Sequence, residues 1–442
     1  MGCGEIVTIT FEAVKPLEGL IDLMVRSQHD VIVAGGGTAG VAAAVASGRN
    51  GADTILIERY GFLGGTMTAG LVNPFMPFHA GGEQIIRGIF QEMIDRLKEM
   101  DGYDEDTKAF DAEAMKLVCD EMVREAGVKL LLHTCIIDAL TQGDKICGVE
   151  IHNKSGRQVV LGRVVVDATG DGDVAVMAGA SYEKGRRRDG LTQPMTLNFR
   201  MGGVDVDRMP PSGEINRLFE EAKAEGKVTL PRRKVLYFPT TRKGEIHFNT
   251  TRIIRVDGTK AEDLTYAEVE GRRQMMELVR FLKERVPGFE NAYLLTSGVQ
   301  VGVRETRRII GEYVLTGDDI VKARKFMDVI ARGSYWIDIH NPVGEGFEEN
   351  PYSGKSPPPG ESYDIPYRCL IPKGVENLLV AGRCISSTHE AQAAIRVIPI
   401  VVAIGQAAGT AAALSAKLGV TPREHDISLL QETLKRQGAN LG

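Results

Sequence analysis

Little in this 442-residue chain points toward metal, membrane or nucleic-acid chemistry. Its six cysteines, Cys3, Cys119, Cys135, Cys147, Cys369 and Cys384, form no CxxC pair and show no metal-ligand spacing, which fits a reduced, cytoplasmic protein. Asp171 and Asp173 have no His or Glu beside them and read as capping or solvated carboxylates, so no metal is expected. A net charge of −6 and the lack of a basic stripe argue against nucleic acid and anionic membranes as partners. No basic segment with an apolar core opens the chain, and Ile6 stands where a myristoylation signal carries Ser or Thr; neither secretion nor a lipid anchor is expected. The longest uncharged run, Val397 to Ala416, is rich in Ala and Gly and is broken by Pro399, Gly405, Gln406 and Gly409. It predicts a buried core helix rather than a membrane span.

What the chain has in excess is glycine, 51 residues, and the most telling ones lie in DVIVAGGGTAGVAAAVASGRNGADTILIER, Asp30 to Arg59. An apolar strand enters Gly35-Gly-Gly37-Thr38-Ala39-Gly40, an alanine-rich helix follows, and a second apolar strand ends in Glu58. A strand feeding straight into a helix leaves unpaired N–H groups and a partial positive charge aimed at one point, a seat for a pyrophosphate. Gly35 permits the turn, Gly37 lets the diphosphate approach and Gly40 lets the helix pack closely. Glu58 stands where a carboxylate accepts the hydrogen bonds of an adenosine ribose and repels a 2′-phosphate. The nucleotide is therefore FAD or NAD, not NADP. A second glycine loop, Gly61 to Gly70, supplies Gly64, Gly65 and Thr66 to cover the extended dinucleotide.

Further along, Ile85 to Leu97 and Phe110 to Met122 carry apolar residues at helical spacing. Val128 to Ile137 reads as a strand containing Cys135, and Asp138 to Val166 as an antiparallel meander that ends in DATGDGD, where Ala168, Thr169 and Gly170 return to the sheet edge. From Ala180 the pattern changes to short strands and helices, the clearest helix opening on an apparent capping box, Thr265 to Glu268. No second glycine fingerprint occurs there, so this part is a substrate or cap domain without its own NAD(P)H site. Lys184 with Arg186, Arg187 and Arg188 reads as a solvated basic loop able to steer an anion. Arg304, Arg307 and Arg308 sit among apolar residues and need either ion-pair partners or a carboxylate ligand. A loop rich in Gly, Pro and Ser, Gly344 to Gly360, leads back to a last core strand and Ala381-Gly382-Arg383. The expected organisation is an N-terminal extension at 1–29 with a strand at Val7 to Phe11 and a helix at Leu17 to Met24; a discontinuous nucleotide domain at 30–180 and 361–442; and a cap at 181–360.

These motifs together, GGGTAG, ERYGFLGGT, DATGDGD, GVRETRRIIGEY, IDIHNP, YDIPYRCLIP and AGRCISSTHEA with GQAAGTAAAL, resemble the FAD-dependent oxidoreductase family of the glutathione-reductase-like superfamily. The fumarate reductase and succinate dehydrogenase flavoproteins are more distantly similar. The resemblance implies an α/β fold: a Rossmann-like FAD-binding domain of three-layer ββα architecture with an inserted α+β cap. It implies that FAD lies on Gly35, Gly37, Thr38, Ala39, Gly40, Glu58, Arg59, Gly64, Gly65, Thr66, Cys135, Ala168, Thr169, Gly170, Gly382 and Arg383, with the flavin ring near Arg396, Ile398 and Pro399. Thr66-Met67-Thr68 occupies the stretch where the distant relatives carry a flavin-linked histidine, so the FAD is expected to be noncovalent.

The expected chemistry is hydride transfer between flavin N5 and a small, carboxylated or hydroxylated metabolite. His340 and His389 are the candidate proton carriers or anchors, and Arg304 and Arg396 the candidate anion clamps. One rival is an oxygen-using oxidase or monooxygenase, disfavoured because Ala381-Gly382-Arg383 replaces the GD motif of the aromatic hydroxylases. Another is a scaffold in which FAD is structural.

Overall fold

The computed structural model describes residues 24–442. The strand expected at Val7 to Phe11 and most of the helix expected at Leu17 to Met24 lie outside the described residues. Met24 itself opens the first strand, six residues before Asp30, with the buried apolar residues of that strand starting at Val31.

In chain order the elements that build the nucleotide side are β1 (Met24–Ala34), α1 (Thr38–Arg49), β2 (Thr54–Ile57), α2 (Ile89–Glu99), α3 (Ala112–Glu125), β3 (Lys129–Leu131), β4 (Cys135–Gln142), β5 (Lys145–Asn153) and β6 (Gly156–Asp167). The cap contributes β7 (Phe199–Gly202), β8 (Tyr237–Pro239), β9 (Ile246–Phe248), α4 (Ala261–Arg285) and β10 (Tyr293–Ser297), after which the chain returns through β11 (Leu378–Val380), α5 (His389–Ile395) and α6 (Ile398–Leu418). The main sheet runs β3-β2-β1-β6-β5-β4, with β11 pairing the C-terminal half of β6. β3, β2, β1, β6 and β11 are mutually parallel, whereas β4 and β5 form the antiparallel meander. Apolar runs without alternation, such as Val31 to Ala34, suit parallel strands buried on both faces.

Why α1 and α6 consist so largely of Ala and Gly follows from their contact. A Cβ on Gly405 would lie 2.2 Å from the Ala39 carbonyl oxygen, and one on Gly409 2.0 Å from that of Ala43. The two helices cross at backbone contact distance, which only small residues permit. The apolar window of α6, mean hydropathy 1.6, is 89% buried within the fold, as expected for a core helix.

Two apolar cores exist among the described residues. The cap core holds Met195 to Val301, with Phe199 and Phe248 stacked 4.9 Å apart. Ile309, Ile330, Ile337 and Ile339 instead join the core of the nucleotide side. Val303 still packs on the cap core, and from Ile309 onward the buried apolar residues of the segment belong to the larger core.

Several local expectations are corrected. The apparent capping box at Thr265 is interior: α4 starts at Ala261, and the Thr265 hydroxyl donates back to the Ala261 carbonyl. The stretch Val128 to Ile137 is two strands broken at Leu132–Thr134, not one. Arg186 is no solvated residue; it is buried between Asp189 and Glu348.

Candidate active site at the seam of the two cores

β1 passes into α1 through Gly35, whose φ of +94° L side chains rarely adopt. A Cβ on Gly40 would stand 1.8 Å from the Gly35 carbonyl oxygen, so the helix seats directly on the turn. Gly37 is the N-cap of α1 and provides no side-chain cap, leaving the first N–H groups of a 12-residue helix directed at whatever lies before them. What lies before them is a cavity of about 1440 Å³. Glu58 reaches beneath the turn, its carboxylate accepting from the Gly36 N–H at 2.6 Å and the Tyr60 N–H at 2.8 Å. A carboxylate has further lone pairs, so this fixes Glu58 without exhausting it.

Of the residues expected around the cofactor, Gly35, Gly37, Thr38, Ala39, Glu58, Arg59, Gly65, Thr66, Cys135, Ala168, Thr169, Gly170, Gly382, Arg383 and Ile398 line this cavity. Gly40, Gly64 and Pro399 do not. Gly40 packs helix on turn, Gly64 donates to the Gly36 carbonyl, and Pro399 is buried in the first turn of α6. Arg383 is no free cation, since its Nη2 donates to Asp171 at 2.5 Å. Arg307 likewise holds Asp173 at 2.7 Å, so Asp171 and Asp173 of DATGDGD act as ion-pair partners.

The cap covers the cavity with the polar face of its sheet. Phe199 and Phe248 point into the cap core, so Thr196, Asn198 and Asn249 turn the other way and reach the cavity wall. Arg304 runs up to them: its Nη1 donates to the Pro194 carbonyl and to Thr196 Oγ1, both at 2.7 Å, and its Nη2 approaches Asn249 Oδ1 at 3.4 Å. Arg232 donates to the Asn249 carbonyl at 3.2 Å. Arg252, fully buried, donates to the carbonyls of Asn341 and Gly346, and Gln274 of α4 clamps its backbone from both sides. Arg396, the residue between α5 and α6, meets Asp338 at 3.4 Å. Asp338 also accepts from the Tyr335 hydroxyl at 3.1 Å and stands 3.4 Å from His340 Nε2.

The electrostatics of this wall are one-sided. Arg232, Arg252, Arg304 and Arg396 line the cavity together, and Asp338 is the carboxylate among them. Among the described residues no carboxylate comes within salt-bridge distance of Arg232, Arg252 or Arg304. Burial, then the neighbouring guanidiniums of Arg396 and Arg232, pushes Arg304 well below its ordinary value; burial and Arg232 bring Arg252 down to about 10. Burial would raise Asp338, but His340, Arg396 and Arg304 outweigh it and hold it well below the carboxylate range. His340 is pushed down to about 3 by burial first and Arg304 second, so its imidazole is neutral at pH 7. The sequence singled out Arg304, Arg396 and His340, which the fold brings together here. It missed Arg232, Arg252, Asn249, Tyr335 and Asp338. The signal available was a pair of arginines, Arg232 and Arg252, in stretches without helical or strand periodicity.

His389, the other histidine candidate, does not line the cavity. It is buried behind the wall, with Nδ1 2.7 Å from Glu305 and Nε2 3.3 Å from Glu348. Because it does not reach the cavity, it is placed to position the wall and not to meet a substrate. Burial acts to lower its pKa, but Glu305 and Glu348 override this and raise it to about 9, in a cluster that also holds Arg308 and Arg186. A pKa raised on folding stabilises the fold fully below about 6.5, and that stability is lost as pH climbs through about 9. His389→Asn should therefore be less stable than the parent at pH 6 by up to about 3 kcal/mol, a deficit that shrinks toward pH 9.5. Urea midpoints of both proteins across this range read the difference directly. A deficit independent of pH would show that His389 is not charged in the folded state.

The decisive comparison concerns the whole length of the fold. A family model described as FAD dependent oxidoreductase matches residues 30–434. The chain belongs to the FAD-dependent oxidoreductase family. FAD is accordingly its cofactor, and the uncapped α1 terminus, the Gly35 turn and the fixed Glu58 fit a dinucleotide in the cavity. This FAD-dependent oxidoreductase is 31% identical over 158 residues to thiamine thiazole synthase of Methanococcus maripaludis, a match covering 33% of this chain and 58% of that protein. The enzyme of the same name from Methanococcus vannielii is 31% identical over 178 residues, 37% of this chain and 64% of that one. The chain thus spans less than two thirds of these curated relatives. Among solved structures, a geranylgeranyl bacteriochlorophyll reductase-like protein from Thermoplasma acidophilum aligns with a TM-score of 0.47 and 15% identity, covering 93% of this chain and 83% of that one. A myxobacterial FAD-dependent chondrochloren halogenase gives 0.47 and 16%, covering 93% and 79%.

Proposed function

We propose that this FAD-dependent oxidoreductase transfers a hydride between flavin N5 and a small anionic metabolite, carboxylated or hydroxylated, held in the cavity under the cap. The observation that carries the reading is Arg304: a part-buried guanidinium on the cavity wall with neutral acceptors and, among the described residues, no carboxylate within salt-bridge distance. Such a group is costly unless an anion completes it.

FAD, when bound, supplies the two-electron donor or acceptor at N5. The chain's own residues do the rest. Arg304 and Arg232, joined through Asn249, grip the anionic group and fix which substrate carbon faces the flavin. Asp338 holds Arg396 at the entrance to α6, and the uncapped first turn of α6 favours negative charge beside it. The remaining proton falls to His340. Its Nε2 lies 3.4 Å from Asp338 and its Nδ1 3.5 Å from Arg252 Nη1. Because Arg304 is one cause of its weak basicity, an anion that neutralises Arg304 makes His340 a better base. Proton acceptance is thereby coupled to substrate binding.

The first experiment is the visible spectrum of the purified protein, then acid precipitation. Oxidised flavin bands with free FAD in the supernatant are expected, followed by anaerobic bleaching on addition of some member of a panel of hydroxy and carboxylic acids. Turnover that needs both a reductant and oxygen, with bleaching by none of these acids, would replace this reading by an oxygen-using one. A flavin that never responds to any substrate would favour a structural role for FAD.

A further inference from the structure

We propose that the substrate carries two negative charges, and that Arg252 is a binding residue for the second of them. The inference deepens the reading above and rests on it. Three guanidiniums of the cavity wall, Arg232 and Arg252 buried and Arg304 part-buried, have no carboxylate within salt-bridge distance among the described residues, while Arg396 already has Asp338. Glu345, the carboxylate that acts on Arg252 from a distance, is held by Lys223 and Arg233. The Nε atoms of Arg252 and Arg396 are buried without a hydrogen-bond partner. Unmatched donors and unmatched charge in one place describe the complement of a missing ligand.

Charge balance sets how much negative charge that ligand brings. A monoanion on Arg304 leaves the other two guanidiniums without a counter-charge, whereas a dianion leaves one. The position of the residues agrees. Arg304 and Arg232 converge on Asn249, whereas Arg252 sits apart, anchored on Asn341 and Gly346 and facing His340. Two carboxylates on a short chain, or one phosphate monoester, supply the same charge.

The test uses the FAD-loaded enzyme and three probes: glutarate, its monocarboxylate counterpart pentanoate, and glycerol 3-phosphate. Binding is read as perturbation of the flavin absorbance and as a shift in Tm, neither of which needs turnover. Glutarate or glycerol 3-phosphate is expected to bind at least about tenfold more tightly than pentanoate, as one further charge-assisted contact supplies. Whichever of the two binds better assigns the dicarboxylate or the phosphate form. In Arg252→Met and, separately, Arg252→Gln, with retained FAD checked by absorbance, the dianion should fall to within about threefold of pentanoate, while pentanoate itself changes little. Equal affinity for dianion and monoanion, or a preference untouched by both variants, overturns the second charge. If pentanoate still binds in an Arg304-dependent manner, the anionic-substrate reading survives that result. If no anion binds at all, both fall.

Discussion

Arg304→Met is expected to keep its FAD and lose turnover. Methionine retains the length and apolar character of the side chain but removes the fork that reaches Pro194, Thr196 and Asn249. Truncating a hydrogen-bonded charge contact inside the cavity costs about 2–5 kcal/mol, so kcat/KM for an acid that bleaches the parent flavin should fall about a hundredfold or more. Part of the change also leaves the Pro194 carbonyl without its donor, so Tm should drop modestly. The FAD content is the control that separates the two effects. Arg304→Lys should recover only part of the loss, since an ammonium restores charge but not the planar fork. An Arg304→Met enzyme with parental kinetics and full FAD would remove Arg304 from the site, and the anionic-substrate reading with it.

The division between what the sequence disclosed and what only the fold disclosed follows the range of the interactions. The turn at Gly35, the seating of Gly40 and the acid at Glu58 are contacts within one βαβ unit, so spacing alone was enough to find them. The parallel part of the sheet could be assembled from both ends of the chain because residues 31–34, 55–57, 164–166 and 378–380 are continuous apolar runs. The anion wall is different. Arg232, Arg252, Arg304, Asp338 and Arg396 are drawn from five separate segments, and nothing in the neighbourhood of Arg232 or Arg252 distinguishes a cavity residue from a surface one. Even the pair of histidines was separable only in three dimensions. His340 turns toward the cavity and His389 away from it, although each stands in a motif of similar character. The false capping box at Thr265 has a local cause: a Thr and a Glu at the right spacing also occur inside a helix, where the hydroxyl bonds back to the preceding turn.

The triplet Arg304, Glu305 and Arg308 shows why one run of sequence served two purposes. Arg304 faces the cavity, while Glu305, with no exposed surface, faces the opposite way into the charged cluster. There it accepts from Arg308 at 2.5 Å, lies 2.7 Å from His389, and takes the Gln193 N–H at 3.1 Å. Gln392 of α5 closes the arrangement by donating to the Arg304 carbonyl at 2.8 Å. Glu305→Ala should therefore be among the most damaging single changes in the protein. It leaves Arg308 and a protonated His389 buried without their shared carboxylate, and breaking a buried ion pair from one side costs about 3–5 kcal/mol. Urea unfolding at pH 6.5 should show a loss of that size, with the m-value unchanged. At pH 9.5, where His389 has released its proton, the loss should be smaller, because one of the two orphaned charges is gone. The double variant Glu305→Ala/His389→Ala should be less damaged than the two single losses added together, since each removes the other's partner. A loss below about 1 kcal/mol, or strict additivity, would mean that the cluster does not hold the cavity wall in place, and the orientation of Arg304 would have to be ascribed to its contacts with Pro194 and Thr196 alone.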